Sequence, residues 1–231
     1  MSEPGRDDRD RLEAALNLLE TLLISYVETG LVEIGNRPIE EILGEIRRHA
    51  EEDSEDLDLE FRSTFDHRDS LLERASTAAS EGELEIAVVL HTTWIEHVTN
   101  GLLLLSLDRQ GVSPESCRAL IRELRLATKL TALWELARLP ELPATHLKLI
   151  DRATSLRNAF VHYKWSSVSQ QDEERRRREL SETTGQIESL VQVFREIEDQ
   201  ALWSGRREEI TQALHDSLVE HVEEVGPPDF L

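Results

Sequence analysis

The chain has 231 residues, of which 39% are hydrophobic and 32% are charged. This balance is too apolar for a disordered chain and too polar for a membrane protein, so it predicts a soluble globular protein. The formal net charge of −21, from 47 acidic and 26 basic residues, repels nucleic acid at long range, so any contact with nucleic acid must be confined to a local site.

The cysteine content and the most apolar segment indicate the compartment. Cys117 is the only cysteine, which excludes an intramolecular disulfide and favours a reducing cytoplasm. The run from Ile86 to Leu107 is long enough to span a bilayer, but it holds Glu96 and two histidines. No basic segment of the kind that opens a secretion signal begins the chain. A cytoplasmic protein without membrane contact is therefore expected.

The hydrophobic periodicity is helical throughout and predicts an all-α protein. A first helix is predicted over 9–28, with Gly30 just past its end. Pro38 suits the first turn of a second helix that reaches about Ala50. The acidic stretch 51–60 is interpreted as a solvated linker, and a domain boundary is placed near its end.

The centre of the chain is dominated by one long helix. A short helix over 66–80 is followed, after Gly82, by a helix that reaches about Gln110 and is apolar nearly all round. It is therefore expected to lie in the middle of a bundle, with neighbours on two sides. Ser113 and Pro114 supply an N-cap and a first-turn proline to the next helix. The remaining helices are predicted over 114–125, 126–139, 144–165, 172–203 and 206–225.

The histidines and the cysteine lack the spacing that a metal site needs. The sequence has no His-x3-His pair, no H-E-x-x-H motif, no cysteine pair and neither of the common glycine-rich phosphate loops. No metal and no cofactor are therefore expected. A structural role is assigned to four of the histidines: His91, His97, His215 and His221.

A basic run from Arg175 to Arg178 has the composition of a phosphate-binding surface. Glu173 and Glu174 stand four residues ahead of Arg177 and Arg178, which is the favourable orientation for ion pairs on a helix surface. The run is therefore interpreted as a solvated helix face.

The segment LRNAFVHYKW, which begins at Leu156, combines an arginine, an amide and a histidine at a predicted helix end. Asn158 and His162 are four residues apart and share one face, whereas Arg157 lies about 140° from His162 on an ideal helix. Convergence of Arg157 and His162 needs a long arginine, an unwound last turn or a second subunit. The apolar stripe of this helix, expected to be buried, is formed by Leu149, Ala153, Leu156 and Phe160.

Two interpretations of this segment follow from the residues. In the first, His162 complements the dipole at the helix C-terminus, and Arg157 pairs with an acid such as Glu96. In the second, the segment is a metal-free phosphodiester site. Arg157 then holds the phosphate, and His162 moves the proton of a ribose 2′-hydroxyl, which requires RNA.

Arg157, Asn158 and His162 resemble the signature of the HEPN superfamily, which is an arginine, a polar residue and then a histidine after four to six positions. The surroundings are similar too: a short helix, a long apolar helix with the central acid Glu96, the segment ATKLTALWELARL, and the motif helix. The similarity covers about residues 66–165. It implies an up-and-down helical bundle that often dimerises through the motif helices, with arginine and histidine of both subunits in one cleft.

The resemblance also implies an endoribonuclease that needs no metal. Members of the superfamily serve as toxins of toxin–antitoxin pairs or as antiphage effectors, whereas others are inactive assembly modules. His162 is accordingly assigned as general acid/base, Arg157 as the phosphate ligand, Asn158 as the group that orients one of them, and Glu96 as a support for Arg157. The expected partners are RNA, a second copy of the chain, and an antitoxin or defence-complex protein. The alternative is a non-catalytic subunit of such a complex.

The expected organisation has three parts. Residues 1–60 form a helical extension that ends in the acidic linker. Residues 61–205 form the HEPN-like bundle, and residues 206–231 form a C-terminal helix and tail.

Overall fold

The structure is a computed structural model that describes residues 18, 20–55, 68–162 and 169–225. Every regular element in these ranges is a helix and none is a strand, so the predicted all-α bundle class is confirmed. Over the same ranges, no helix combines the length and the apolar character needed to cross a membrane.

Ten α-helices and two π-helical segments make up the described part of the chain. In order, they are α1 (described over 20–28), α2 (Ile39–Glu55), α3 (Arg68–Ser80), α4 (Leu84–Asp108), α5 (Pro114–Glu123), α6 (Leu126–Thr128), the π-helical segment Lys129–Leu133, α7 (Trp134–Leu136), α8 (Ala144–Val161), α9 (Gln170–Glu198), the π-helical segment Asp199–Trp203, and α10 (Arg207–Val225).

The described residues fall into two compact units, one from residues before 63 and after 198, and one from residues 63–198. The first unit therefore contains α1, α2 and α10, and the second contains α3 to α9. The predicted three-part organisation remains a prediction, because compact units are defined by contacts and not by independent folding.

In the first unit, Arg206 fastens the loop between α1 and α2 to the start of α10. Its guanidinium donates hydrogen bonds to the backbone oxygens of Gly35 at 3.2 Å and Arg37 at 2.7 Å. It also pairs with Glu209 at 2.8 Å. The apolar side chains buried in this unit include Leu23, Val27, Val32, Ile34, Ile42, Ile46 and Ile210.

The second unit is a helical bundle built around α4. This helix contacts α3, α5, α8, α9 and the π-helical segment Lys129–Leu133, so its predicted central position is confirmed. Phe194 of α9 is fully buried and is met edge-on by the rings of Trp94 and Trp134, at centroid distances of 5.7 and 6.1 Å. Edge-to-face contacts of this kind stabilise the core beyond the contribution of the area that the aromatic rings bury.

Several predicted helix ends are confirmed. Gly30, with φ of 74°, follows the last turn of α1 in a conformation that glycine adopts without strain. Ser113 caps α5 by accepting a hydrogen bond from the backbone N–H of Ser116 at 3.3 Å, and Pro114 is the first residue of that helix. The predicted helical residues 9–17, 19, 66–67 and 163–165 lie outside the described part of the chain.

The predicted end of α2 is wrong. The helix continues to Glu55, five residues beyond the predicted end at Ala50 and into the stretch interpreted as a linker. That stretch contains glutamates, which are good helix formers, and no proline or glycine to end the helix. At the other end, Pro38 directly precedes Ile39, and its carbonyl accepts the N–H of Ile42 at 3.3 Å as the first hydrogen bond of the helix, in agreement with the predicted start.

Candidate functional site

Helix α8 carries the motif and is fixed in the bundle by its apolar stripe. It starts after Pro143, whose carbonyl accepts the N–H groups of His146 and Leu147 at 2.9 and 3.1 Å. Of the four residues predicted to be buried, three are: Leu149, Ala153 and Leu156. The motif is therefore attached to a well-packed helix.

The prediction for Phe160 is wrong, because this side chain is 36% exposed. The buried stripe ends at Leu156, one turn earlier. Val161 is 49% exposed and His162 is exposed as well. The end of α8 thus presents two apolar side chains and a histidine to solvent.

His162 lies immediately after the last residue of α8. Its backbone has φ of −95° and ψ of 15°, and its N–H donates to the carbonyl of Asn158 at 3.1 Å. A histidine at this position adjoins the partial negative charge of the helix C-terminus. The ring is accessible, as both interpretations of the sequence require.

Arg157 and Glu96 form an ion pair between α8 and α4. Nη2 of Arg157 donates to Oε1 of Glu96, and the two side chains are 26% and 37% exposed. This is the contact that the sequence predicts. A pair so open to water contributes about 1 kcal/mol or less to folding, so its main consequence is the position of the guanidinium.

Asn158 is half-buried on α8, next to Arg157. Its backbone carbonyl holds the N–H of His162, whereas an orienting role for its side chain remains a prediction. Within the described residues, the side chains of Arg157 and His162 share no hydrogen bond. One chain therefore brings Arg157 to Glu96 but leaves His162 at the helix end.

Lys129 is a charged group near this site that the sequence did not predict. It is the first residue of a π-helical segment and is 8% exposed, and its Nζ donates to Oδ1 of Asn100 at 2.9 Å. Burial lowers the pKa of Lys129, and attraction to the Glu96 carboxylate partly opposes that effect. Asn100 follows Glu96 by one turn of α4, so the two residues share one face. Arg157 of α8 thus binds Glu96 itself, while Lys129 binds α4 one turn further along.

The sequence contains a weak signal for this lysine. Lys129 interrupts an apolar helical segment and is one of only three lysines, with Lys148 and Lys164. Regular helical periodicity does not show which way it points, because a π-helical turn holds an extra residue and changes the facing of its neighbours.

The four histidines assigned a structural role have different environments. His91 is buried in α4, and burial lowers its pKa to about 4, which confirms a core role. His97 and His215 are exposed, and the side chain of His221 lies outside the described part. In the ranges that the structure describes, no group of three or more His, Cys, Asp or Glu side chains is placed to hold a metal ion.

The basic run of α9 forms ion pairs at a spacing different from the predicted one. Arg175 pairs with Asp172 at 3.1 Å and Arg176 pairs with Glu173 at 2.6 Å, in both cases three residues apart. Arg176 also contacts Glu85 of α4 at 3.4 Å. These acids neutralise much of the run, as a solvated and partly packed face requires.

Comparison of the chain with protein-family models, with curated proteins and with solved structures gives no match. The resemblance to the HEPN superfamily therefore rests on the motif of α8 and on the order of the helices, and it remains a prediction.

Proposed function

We propose that the chain is a metal-independent endoribonuclease of the HEPN type, which acts in the cytoplasm as a toxin or an antiphage-defence effector. The observation that carries the proposal is the placement of Arg157 and His162 near the end of α8. Both are accessible to solvent, and Arg157 is held by Glu96. An arginine for the phosphate and a histidine for proton transfer are the groups that cleavage of RNA without a metal requires.

In the proposed reaction, His162 accepts the proton of the ribose 2′-hydroxyl, and the 2′-oxygen attacks the phosphorus atom. The bond from phosphorus to the 5′-oxygen breaks, and a protonated acid, such as the histidine of a second subunit, donates a proton to that oxygen. The products carry a 2′,3′-cyclic phosphate and a 5′-hydroxyl. Arg157 stabilises the charge that develops on the phosphate oxygens.

The ion pair with Glu96 is compatible with phosphate binding by Arg157. A guanidinium carries five N–H donors in a planar fork, and Glu96 accepts from Nη2. Further donors therefore remain for a phosphate. Because the pair is partly open to water, a bound phosphate can also compete with the carboxylate for the guanidinium.

A homodimer supplies the geometry that one helix lacks. Arg157 and His162 diverge by about 140° on an ideal helix, so one copy does not direct both groups at the same phosphate. A two-fold axis beside the end of α8 would bring two copies of each into one cleft. The exposed Phe160 and Val161 provide apolar surface for such an interface.

The proposal is tested by RNA cleavage in the presence of a chelator. The purified protein is expected to cut RNA, to leave the matching 2′-deoxy oligonucleotide intact, and to produce cyclic or 3′-phosphate ends. The double variant Arg157→Ala with His162→Ala should abolish cleavage, while His215→Ala, on an exposed face of α10, serves as the matched control. Cleavage undiminished in the double variant would place the site elsewhere.

A second candidate is a non-catalytic subunit of a toxin–antitoxin or defence complex. The formal net charge of −21 favours it, because an acidic surface repels RNA and suits a basic protein partner. This candidate predicts that the double variant leaves assembly with the partner unchanged and that the isolated chain binds no RNA. Binding and cleavage of RNA by the isolated chain, measured beside co-purification of the partner with wild-type protein and with the variant, distinguish the two functions.

A further inference from the structure

Two hydrogen bonds, one turn of α4 apart, link α4 to α8 and to the π-helical segment Lys129–Leu133. Glu96 of α4 accepts a hydrogen bond from Arg157 of α8. Lys129 donates to Asn100, one turn further along α4, and is attracted by the same Glu96 carboxylate. One acid therefore attracts two cations, an accessible arginine that it binds directly and a buried lysine that is bound one turn further along α4.

We infer that Lys129 is a positioning residue for Arg157. Lys129 shares the attraction of the Glu96 carboxylate and thereby leaves the guanidinium of Arg157 able to bind a phosphate. The inference rests on the proposed function, since it concerns the phosphate site of that reaction. It adds a residue that neither the motif nor the order of the helices indicates.

The hydrogen bond to Asn100 is the first argument. A surface lysine samples many rotamers and is strongly hydrated, so its ammonium exerts little directed force. Lys129 is 8% exposed and its Nζ is tied to Asn100 at 2.9 Å. Its charge is therefore fixed in a place where water screens it weakly.

Burial of the charge is the second argument. Lysine is almost never fully buried unless it is paired, because removing an ammonium group from water is expensive. Asn100 satisfies one N–H of Lys129 but brings no charge. The opposite charge that acts on it is that of Glu96, one turn before Asn100 on α4, whose attraction raises the pKa of Lys129 but does not outweigh the effect of burial.

This charge sharing affects the ligand of Arg157. A carboxylate attracted from two sides binds each cation less strongly than it would bind one alone. When Lys129 is replaced by an uncharged residue, Glu96 attracts Arg157 alone. A phosphate must then compete with the Glu96 carboxylate for the guanidinium. Phosphate binding should then weaken, and removal of the Glu96 charge should restore it.

Binding of a fluorescent 2′-deoxy oligonucleotide by the full chain tests the inference, because this ligand occupies the phosphate site without being cut. Lys129→Met keeps most of the side-chain volume and should raise Kd on the order of tenfold. Glu96→Gln in the same background should return Kd to the wild-type value. Lys148→Met removes the same charge from the exposed face of α8 and is the control.

A purely structural role of Lys129 would not produce this rescue, because a packing defect is not repaired by neutralising Glu96. An unchanged Kd for Lys129→Met, or a raised Kd that Glu96→Gln does not restore, overturns the inference and leaves the proposed function standing. Absence of binding by the wild-type chain counts against the proposed function and against a role of Lys129 in phosphate binding.

A urea-unfolding cycle decides the charge sharing without any ligand. Glu96→Gln should lower the urea midpoint of unfolding more in the wild-type background than in the Lys129→Met background. The single variant Glu96→Gln keeps the buried charge of Lys129 without its carboxylate, whereas the double variant has no charge at position 129. Equal losses in the two backgrounds would show that Lys129 and Glu96 are not coupled, and the inference would fail whatever the oligonucleotide does.

Discussion

Arg157 of α8 donates a hydrogen bond to Glu96, which lies in the middle of α4. The contact joins the motif helix to the central helix of the bundle, so the guanidinium is held from a rigid element and not from a loop. His162 follows five residues later, beyond the last turn of α8. Of the two groups proposed for the chemistry, Arg157 is therefore anchored to α4, whereas His162 lies at the end of α8.

Replacing His162 by alanine should lower RNA cleavage on the order of 100-fold or more, as expected for loss of a general acid/base. The side chain is exposed, so the thermal unfolding temperature should stay within about 2 °C of the wild type. Initial rates and a melting curve on the same sample check both parts. A lost activity accompanied by a large loss of stability would contradict the assignment.

Arg157→Ala should lower kcat together with kcat/KM, because the guanidinium acts mainly on charge that develops in the transition state. Folding should weaken by about 1 kcal/mol or less, since the ion pair with Glu96 is partly exposed. Steady-state kinetics and urea unfolding measure the two effects. Arg118→Ala, which removes a surface ion pair with Glu115, is the control for loss of an arginine alone.

Phe160→Asp should convert a dimer into a monomer, because it places a charge in the proposed apolar interface at the end of α8. Light scattering should give about twice the chain mass for the wild type and a single chain mass for the variant. Leu120→Asp is a matched control, since Leu120 of α5 is 38% exposed, close to the 36% of Phe160. A wild-type protein that stays monomeric at high micromolar concentration argues against the composite cleft.

Acidification should destabilise the fold through His91. Burial lowers the pKa of this residue to about 4 from its ordinary value of 6.5, so below pH 6.5 the unfolded chain binds a proton that the folded chain does not. Stability is then complete above pH 6.5 and is lost as the pH falls toward 4. Between pH 7 and pH 5 the loss amounts to about 2 kcal/mol.

The measurement for His91 is urea unfolding of the wild type and of His91→Leu at pH 7 and pH 5. Protonation of carboxylates contributes equally to both proteins, so the difference between them isolates the histidine. That difference should change by about 2 kcal/mol between the two pH values, whereas His97→Leu, at an exposed position of the same helix, should change far less. A constant difference would show that His91 is protonated equally in both states.

The sequence predicts most helices of this fold because their ends are encoded locally. Ser113 and Pro114 mark the start of α5, and Gly30 marks the end of α1. The pair of Arg157 with Glu96 is also predictable, since the long helix carries a single acid in its apolar centre. These features depend on residue type and spacing, which can be read without knowledge of the packing.

The missed features depend on where the packing stops. Phe160 continues the apolar stripe of α8 in the sequence but lies beyond the last buried turn. The acidic residues that follow Ala50 look like a linker, yet nothing in them ends α2 before Glu55. Lys129 is buried through a local change of helical geometry. Periodicity assumes a regular helix of unlimited length, so it does not predict these three cases.

The packing of the bundle depends on how many residues the π-helical segment Lys129–Leu133 contains, and not only on which residues they are. Deleting one residue between Lys129 and Leu133 would restore a regular α-helix and rotate Trp134 by about 100° relative to Lys129. Lys129 could then not keep its hydrogen bond to Asn100 while Trp134 kept its edge-to-face contact with Phe194. During evolution, this segment would therefore tolerate substitutions far better than insertions or deletions.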